Sequence, residues 1–111
     1  MADQNNRREE RLDLSKLAFA KEGEMAHGGL IRDISAVGAY IEFVAPLGQV
    51  EHDFKVDDSI DLILEDQTVL VGRVARADAD GIAIAFDTDS ADQFGFIEAM
   101  VDAEREVKEA S

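Results

Sequence analysis

The sequence of 111 residues lacks several residue types, and each absence narrows what the chain can do. It contains no cysteine, which excludes disulfide bonds, thiolate metal sites and cysteine nucleophiles. It has no tryptophan and one tyrosine, so few rings are available for stacking nucleic-acid bases. Basic residues are also scarce: 11 lysines and arginines face 25 acidic residues, for a net charge of −14. That balance argues against general nucleic-acid binding and against docking on anionic lipid, since both need a basic surface.

Long apolar runs are missing as well, and none approaches the roughly 18 residues that a membrane-spanning helix needs. The first eleven residues, MADQNNRREER, are polar where a secretion signal has an apolar stretch. The composition, 46% hydrophobic and 32% charged, is typical of a globular protein, and the length suits one hydrophobic core. We therefore expect a soluble, cytoplasmic single domain.

The acidic charge is unevenly distributed along the chain. Residues 1–35 carry a net charge of −1, whereas residues 36–111 carry −13. Arg7, Arg8 and Arg11 form a basic cluster within five positions of the amino-terminal segment. Such a cluster is often only a solvated tail. It is equally suited to holding a small anion, because salt screens the charge of the acidic body over roughly 10 Å.

Apolar residues recur with a period of two along most of the chain, which indicates β-strands. Residues 1–11 show no period and are predicted to form a flexible arm. Short strands separated by turn signals every ten or so residues predict a small antiparallel β-barrel over residues 12–89. The predicted strands lie near residues 12–19, 30–35, 39–43, 60–64, 68–77 and 82–86.

The period changes to that of a helix near the carboxyl terminus, over residues 90–109. Ser90 and Gln93 form a capping-box pattern at its start. The apolar residues of the helix fall in two stripes, Phe94, Ile97 and Val101 in the first and Phe96, Met100, Ala103 and Val107 in the second. The two stripes fit one wide face packed on the barrel, or the second stripe fits a surface for a partner.

Patterns typical of enzymes and metal sites are absent from the sequence. His27 and His52 have no metal-ligand spacing, and we expect both on the surface in loops. The acidic turn at residues 78–81 resembles part of a calcium loop, but the template places Arg76 at the first ligand position and Asp87, not Glu, at the twelfth. We therefore expect no catalysis, no metal and no cofactor.

Two short motifs, separated by 21 residues, carry the functional interpretation. Arg7 and Arg11 fit R-x-x-x-R, and residues 33–38, DISAVG, fit D-x-S-x-x-G directly before a strand. Either motif alone is weak evidence for a function. Together, at this separation and within a barrel pattern, they closely resemble the PilZ domain, the bacterial receptor module for cyclic di-GMP. The resemblance covers essentially the whole chain, because DISAVGAYIEF, VDDSIDLIL, LVGRVAR and GIAIAF fall where that family has its strands.

The resemblance implies a six-stranded antiparallel barrel, with the nucleotide on its outer face under the amino-terminal arm and a helix after the barrel. It implies that Arg7 and Arg11 contact phosphate or guanine, because guanidinium groups fork onto phosphates and onto guanine O6 and N7. The adjacent Arg8 is expected to add a contact. Asp33 is expected to accept hydrogen bonds from guanine N1 and N2.

Two smaller residues complete the implied site. Ser35 is expected to offer its hydroxyl to the ligand, and Gly38 to allow close backbone approach or a positive φ. A purely structural interpretation of Asp33 and Ser35, a hydrogen-bonded turn, remains the alternative. Asn6, just before the first motif, leaves open whether one nucleotide or an intercalated pair is bound.

The implied function is that of a receptor whose arm orders over cyclic di-GMP and so regulates a separate effector protein in motility, exopolysaccharide and biofilm formation, or the cell cycle. One alternative is a PilZ-like protein-interaction module that no longer binds the nucleotide. Another is a small oligonucleotide-binding barrel, which the acidic charge and the single tyrosine without any tryptophan disfavour.

Overall fold

Six antiparallel strands and a carboxy-terminal helix form the architecture of the computed structural model, which describes residues 12–47 and 50–110. The strands are β1 (Leu12–Glu22), β2 (Met25–Ile34), β3 (Gly38–Phe43), β4 (Ser59–Leu64), β5 (Val69–Asp78) and β6 (Gly81–Phe86). A short 3₁₀ turn (Ala45–Leu47) follows β3, and the helix is α1 (Ala91–Ala110).

The strands close into a barrel in the order β1-β2-β3-β6-β5-β4, with β1 pairing to β4 to complete the ring. The six-stranded antiparallel barrel with a carboxy-terminal helix, expected from the sequence, is therefore confirmed. The expected flexible arm, residues 1–11, lies outside the described residues. Within the part of the chain that the structure describes, no helix is long and apolar enough to cross a bilayer.

The alternation seen in the sequence places one side of each strand in the barrel interior. Along β4 the burial alternates, so that Ile60, Leu62 and Leu64 point inward while Ser59 and Asp61 face solvent. The same pattern in the other strands builds one core, in which Ile31, Ile41, Leu62 and Ile82 are completely buried. Removal of this apolar area from water is the main term that stabilises the fold.

The helix α1 is capped by Ser90, as the sequence predicts. The Gln93 N–H donates to Ser90 Oγ at 3.3 Å, and the Phe94 N–H donates to the Ser90 carbonyl at 3.0 Å. The Gln93 side chain does not return to Ser90. Its Oε1 accepts the Val71 N–H at 2.9 Å and its Nε2 donates to the Val71 carbonyl at 2.8 Å, which ties the start of the helix to β5.

The two apolar stripes of α1 differ in how far they are buried. Ile97 and Val101 of the first stripe are buried and belong to the barrel core. In the second stripe Met100 packs against the core, whereas Phe96 is 43% and Val107 65% exposed. The single wide face that the sequence allows is therefore only partly formed.

Both histidines lie in one aromatic group. The predicted place in a surface loop is wrong for His27, whereas His52 does lie in the loop between the 3₁₀ turn and β4, where it is half-buried. His27 is part of β2 and is 4% exposed, with its ring centroid 5.4 Å from that of Phe43 and 5.2 Å from that of Phe54. The His52 ring is half-buried and lies 6.5 Å from the His27 ring. We call His27, Phe43, His52 and Phe54 the histidine cluster.

The His52 ring also makes two hydrogen bonds. The Phe54 N–H donates to His52 Nδ1 at 3.1 Å, so Nδ1 carries no proton. His52 Nε2 therefore carries the proton and donates to the carbonyl of Asp78, 2.6 Å away. Among the described residues, no group of three His, Asp or Glu side chains is arranged to hold a metal ion.

Candidate functional site

The loop between β2 and β3 carries the second motif, and its own hydrogen bonds fix its shape. The Ser35 N–H donates to the Gly38 carbonyl at 2.8 Å, and the Val37 N–H donates to Ser35 Oγ at 3.2 Å. The Phe86 N–H donates to the Val37 carbonyl at 2.9 Å, which anchors the loop to the end of β6. The loop is thus a preformed element of the barrel end.

Ser35 is completely buried, and its hydroxyl serves the turn. Besides accepting the Val37 N–H, its Oγ lies 3.5 Å from the Gly38 carbonyl. Gly38 begins β3, and Gly23 is the only described glycine with a positive φ. The positive φ considered for Gly38 is therefore wrong, and close backbone approach at this glycine stays a prediction.

A β-bulge in β2 brings Asp33 to the outer face of the barrel. Ile31 and Ile34 both point into the core although they are three positions apart, because the pairing register shifts between Ile31 and Asp33. Arg32 is exposed and Asp33 half-buried, so two consecutive side chains lie on the outer side. Bulges are a common device for re-aiming side chains at functional sites.

Among the described residues, the surroundings of Asp33 combine negative charge with one arginine. Asp33 lies directly opposite Asp13 of β1, and like charges in such positions destabilise a strand pair. This end of the barrel therefore favours cationic groups close by. Arg32 contributes one, with its Nη1 3.2 Å from Ser15 Oγ and its Nε 3.5 Å from Glu42 Oε1.

On the other side of Asp33, the register of β2 and β3 places Tyr40 directly opposite. The Tyr40 hydroxyl donates to Asp78 Oδ2 at 3.0 Å, and Arg76 Nη2 donates to the same oxygen at 3.2 Å. The Arg76 guanidinium also lies 5.4 Å from the centroid of the Tyr40 ring, in cation–π contact. A side chain at position 81 would collide with the Tyr40 hydroxyl, so the glycine there leaves room for Tyr40 to reach Asp78.

This three-residue group alters the proton affinities of its members. The hydrogen bond from Arg76, and then that from Tyr40, lower the pKa of Asp78. Burial, followed by the hydrogen bond to Asp78, raises the pKa of Tyr40. The group therefore favours a neutral phenol beside an ionised carboxylate.

The structure brings together three of the six predicted site residues. Asp33, Ser35 and Gly38 lie where β2 ends and β3 begins. Arg7, Arg8 and Arg11 lie outside the described residues. Sequence reasoning missed Arg32 and the group of Tyr40, Arg76 and Asp78. The only early signal for that group was the single tyrosine two residues after the motif.

A family model described as the PilZ domain matches residues 5–103 of this chain, a range that contains both motifs. Among curated proteins, none is similar enough in sequence to count as a match.

Two solved structures share the fold. An uncharacterised protein of Legionella superposes with a TM-score of 0.59 and 18% identity, over 90% of this chain and 98% of that protein. The PlzA protein of Borreliella burgdorferi, in complex with c-di-GMP, superposes with a TM-score of 0.57 and 22% identity, over 86% of this chain. The matched part is 40% of the PlzA chain.

Proposed function

Because this chain belongs to the PilZ domain family, as the match over residues 5–103 shows, we propose that it is a receptor for cyclic di-GMP. The observation that carries the proposal is that the family match contains both R-x-x-x-R and D-x-S-x-x-G. The binding of c-di-GMP by PlzA, which has the same fold, supports the choice of ligand.

The charges of the described face explain why the arm is needed. Cyclic di-GMP carries two phosphate charges, while Asp13 and Asp33 face each other across β1 and β2. An anion at this place requires cations that outweigh the carboxylates. We assign this role to Arg7 and Arg11, with Arg8 adding a contact, since guanidinium groups bind phosphate with paired hydrogen bonds.

The described motif residues have complementary roles in the proposed site. Asp33 accepts hydrogen bonds from the N1 and N2 donors of one guanine, for which a carboxylate on the outer face is suited. Ser35 holds the shape of the loop, because its hydroxyl accepts the Val37 N–H. Gly38 lets the ligand approach the backbone at the start of β3.

The output of the receptor belongs to the same proposal. The arm orders over the nucleotide, which changes the shape and the charge of the barrel face that a separate effector protein contacts. Motility, exopolysaccharide and biofilm formation, and the cell cycle are the candidate outputs. The cytoplasmic location expected from the sequence is also part of this proposal.

Isothermal titration calorimetry tests the receptor function and the site together. Cyclic di-GMP is titrated into the wild-type protein and into the Arg11→Ala and Asp33→Ala variants, with Lys21→Ala as a control. Lys21 is an exposed cation of β1 that pairs with Ala26, at the opposite end of the β1–β2 pair from Asp13 and Asp33. We expect binding by the wild type and the control, and at least about 100-fold weaker binding by the two site variants, since each loses a charge-assisted hydrogen bond and leaves its partner unpaired.

Each outcome has a different meaning. No binding by a folded wild type would overturn the receptor proposal and leave the protein-interaction module as the interpretation. Binding that survives both site substitutions would overturn the site but not the function. Circular dichroism of each variant checks that the barrel is intact.

A further inference from the structure

A groove of about 460 Å³ lies on the outer face of the barrel, where β5 and β6 meet the segment leading to α1. Its polar side chains come from Ser59, Arg73, Asp87, Thr88 and Asp89, and Ala85 is part of its apolar lining. None of these residues belongs to the motifs that predicted the site.

The groove is continuous with the D-x-S-x-x-G loop. Gly38 pairs with Ala85, Ala85 with Arg73, and Arg73 with Ser59, so the four residues form one row across β3, β6, β5 and β4. Neighbouring strands are about 4.8 Å apart, which puts the Arg73 backbone about 10 Å from Gly38. The bond between the Phe86 N–H and the Val37 carbonyl joins the groove wall to the loop itself. A ligand bound at Asp33 and Gly38 can therefore reach the groove across the small side chain of Ala85.

Arg73 differs from the other arginines that the structure describes. Arg32, Arg76 and Arg105 each pair with a carboxylate. Arg73 is exposed and makes no ion pair with any described residue, although residues 36–111 carry a net charge of −13. Its guanidinium is thus available for a ligand in the groove.

Asp87 supplies the opposite chemistry in the same groove. Its Oδ1 accepts the Asp89 N–H at 3.0 Å, which fixes the carboxylate, and Oδ2 has no partner within the described residues. The groove therefore presents a forked donor and an anchored acceptor. Guanine is the base that matches both, because it has acceptors at O6 and N7 and donors at N1 and N2. Adenine has a donor at N6 in place of O6 and no hydrogen on N1. It therefore loses one hydrogen bond from Arg73 and the N1 and N2 hydrogen bonds to Asp87.

We propose that this groove is a guanine subsite, in which Arg73 and Asp87 bind the guanine of the nucleotide that Asp33 does not hold. The inference rests on the proposed receptor function and deepens it. The base lies flat across Ala85, Arg73 donates to O6 and N7, and Asp87 accepts from N1 and N2. The subsite makes the protein selective for a nucleotide with two guanines.

Selectivity between two cyclic dinucleotides tests the subsite. Cyclic di-GMP and 3′,3′-cyclic GMP-AMP, which has one adenine, are titrated into the wild type and into Arg73→Met, with Lys21→Met as the matched control for lost charge. We expect the wild type and the control to prefer cyclic di-GMP by about tenfold or more, as one bidentate contact to a base provides. In Arg73→Met we expect about tenfold weaker binding of cyclic di-GMP, little change for the mixed nucleotide and hence a lost preference.

A second pair of variants tests the role of Asp87 as the hydrogen-bond acceptor. Asp87→Asn is compared with Asp53→Asn, an exposed aspartate in the segment before β4 that makes no described hydrogen bond. We expect the first to reduce the preference and the second to leave it unchanged. Thermal unfolding of all variants checks that the barrel is retained.

The results separate the two proposals. If the folded wild type binds neither nucleotide, the receptor function fails and the subsite with it. If the wild type binds cyclic di-GMP and loses it in Asp33→Ala, while Arg73→Met retains both the affinity and the preference of the wild type, the receptor stands and the subsite is overturned. Equal weakening in Arg73→Met and Lys21→Met would also overturn it, because it would reduce the effect to net charge.

Discussion

At the end of the barrel that carries Asp33, the chain is held by main-chain hydrogen bonds and by a buried face of α1, whereas the other end is closed by the rings of the histidine cluster. The Asp33 end depends on bonds such as Ser35 N–H to the Gly38 carbonyl and Phe86 N–H to the Val37 carbonyl. The histidine end depends on side chains, above all on the two ring nitrogens of His52.

The two ends differ in the sequence separation of the residues that hold them together: it is short at the Asp33 end and long at the histidine end. Ser35 and Gly38 are three residues apart, and the helix that follows β6 is capped by Ser90 from within its own turn. His27, Phe43 and His52 come from β2, β3 and the segment after the 3₁₀ turn, and only the closed barrel brings them together. A loop made of local bonds is preformed, and at the proposed site this limits the entropy lost when a ligand binds.

The largest effect is expected from the buried helix face at the Asp33 end. Ile97→Ala removes a completely buried side chain, and a truncation of this kind costs about 2–5 kcal/mol of unfolding free energy. Phe96→Ala on the same helix is the control, since Phe96 is 43% exposed. Urea denaturation followed by circular dichroism measures both. A loss no larger in Ile97→Ala than in Phe96→Ala would contradict the packing of α1 on the barrel.

The helix also shows what the sequence predicts well. The cap at Ser90 and the inward stripe of Ile97 and Val101 follow from spacing alone, because a helix and its cap are set by residues within a few positions. The alternation that predicted the strands is equally local, and six strands follow from it. The side chain of Gln93 departs from the capping box because Val71, 22 residues away, offers both a donor and an acceptor.

The histidine end gives a smaller but measurable effect. His52→Phe keeps a ring beside Phe43 and Phe54 but leaves the Phe54 N–H and the Asp78 carbonyl without the imidazole. Full burial of an unpaired polar group costs about 1–3 kcal/mol, and these partly buried groups set the loss at or below that range. Thermal and urea unfolding measure the loss. Val56→Ala, at a 57% exposed neighbouring position, is the control and is expected to change little. Wild-type stability in His52→Phe would show that the ring packs there without its hydrogen bonds mattering.

The histidine cluster and the Tyr40 group were beyond sequence reasoning for the same physical reason. A histidine in an apolar stretch has no period of its own, and β2 begins at Met25, before the strand predicted near residues 30–35. The contacts of Tyr40 with Arg76 and Asp78 depend on the strand order β3-β6-β5 and on a register shift in β5 between Val74 and Arg76. Neither a strand order nor a bulge position is specified by alternation.

The smallest effect is a titration that reports on both ends at once. Tyr40 is the only tyrosine and the chain has no tryptophan, so the absorbance of tyrosinate follows this one side chain. Burial and the hydrogen bond to Asp78 raise its pKa, and we expect a midpoint above the ordinary value of 10.0. The neutral phenol is the stabilised form, so its contribution is complete below pH 10.0 and is lost as the pH rises through the higher midpoint.

Two variants make the titration a test of how the ends are linked. Asp78→Asn removes the carboxylate charge, so the midpoint should fall toward the ordinary value, and a midpoint that does not move would contradict the Tyr40–Asp78 contact. His52→Phe removes the bond to the Asp78 carbonyl and leaves the carboxylate in place. If Asp78 is held mainly by Arg76 and Tyr40, this variant should titrate as the wild type does, although it is less stable. A shift as large as that of Asp78→Asn would instead mean that the histidine end positions Asp78, and through it the outer face beside Asp33.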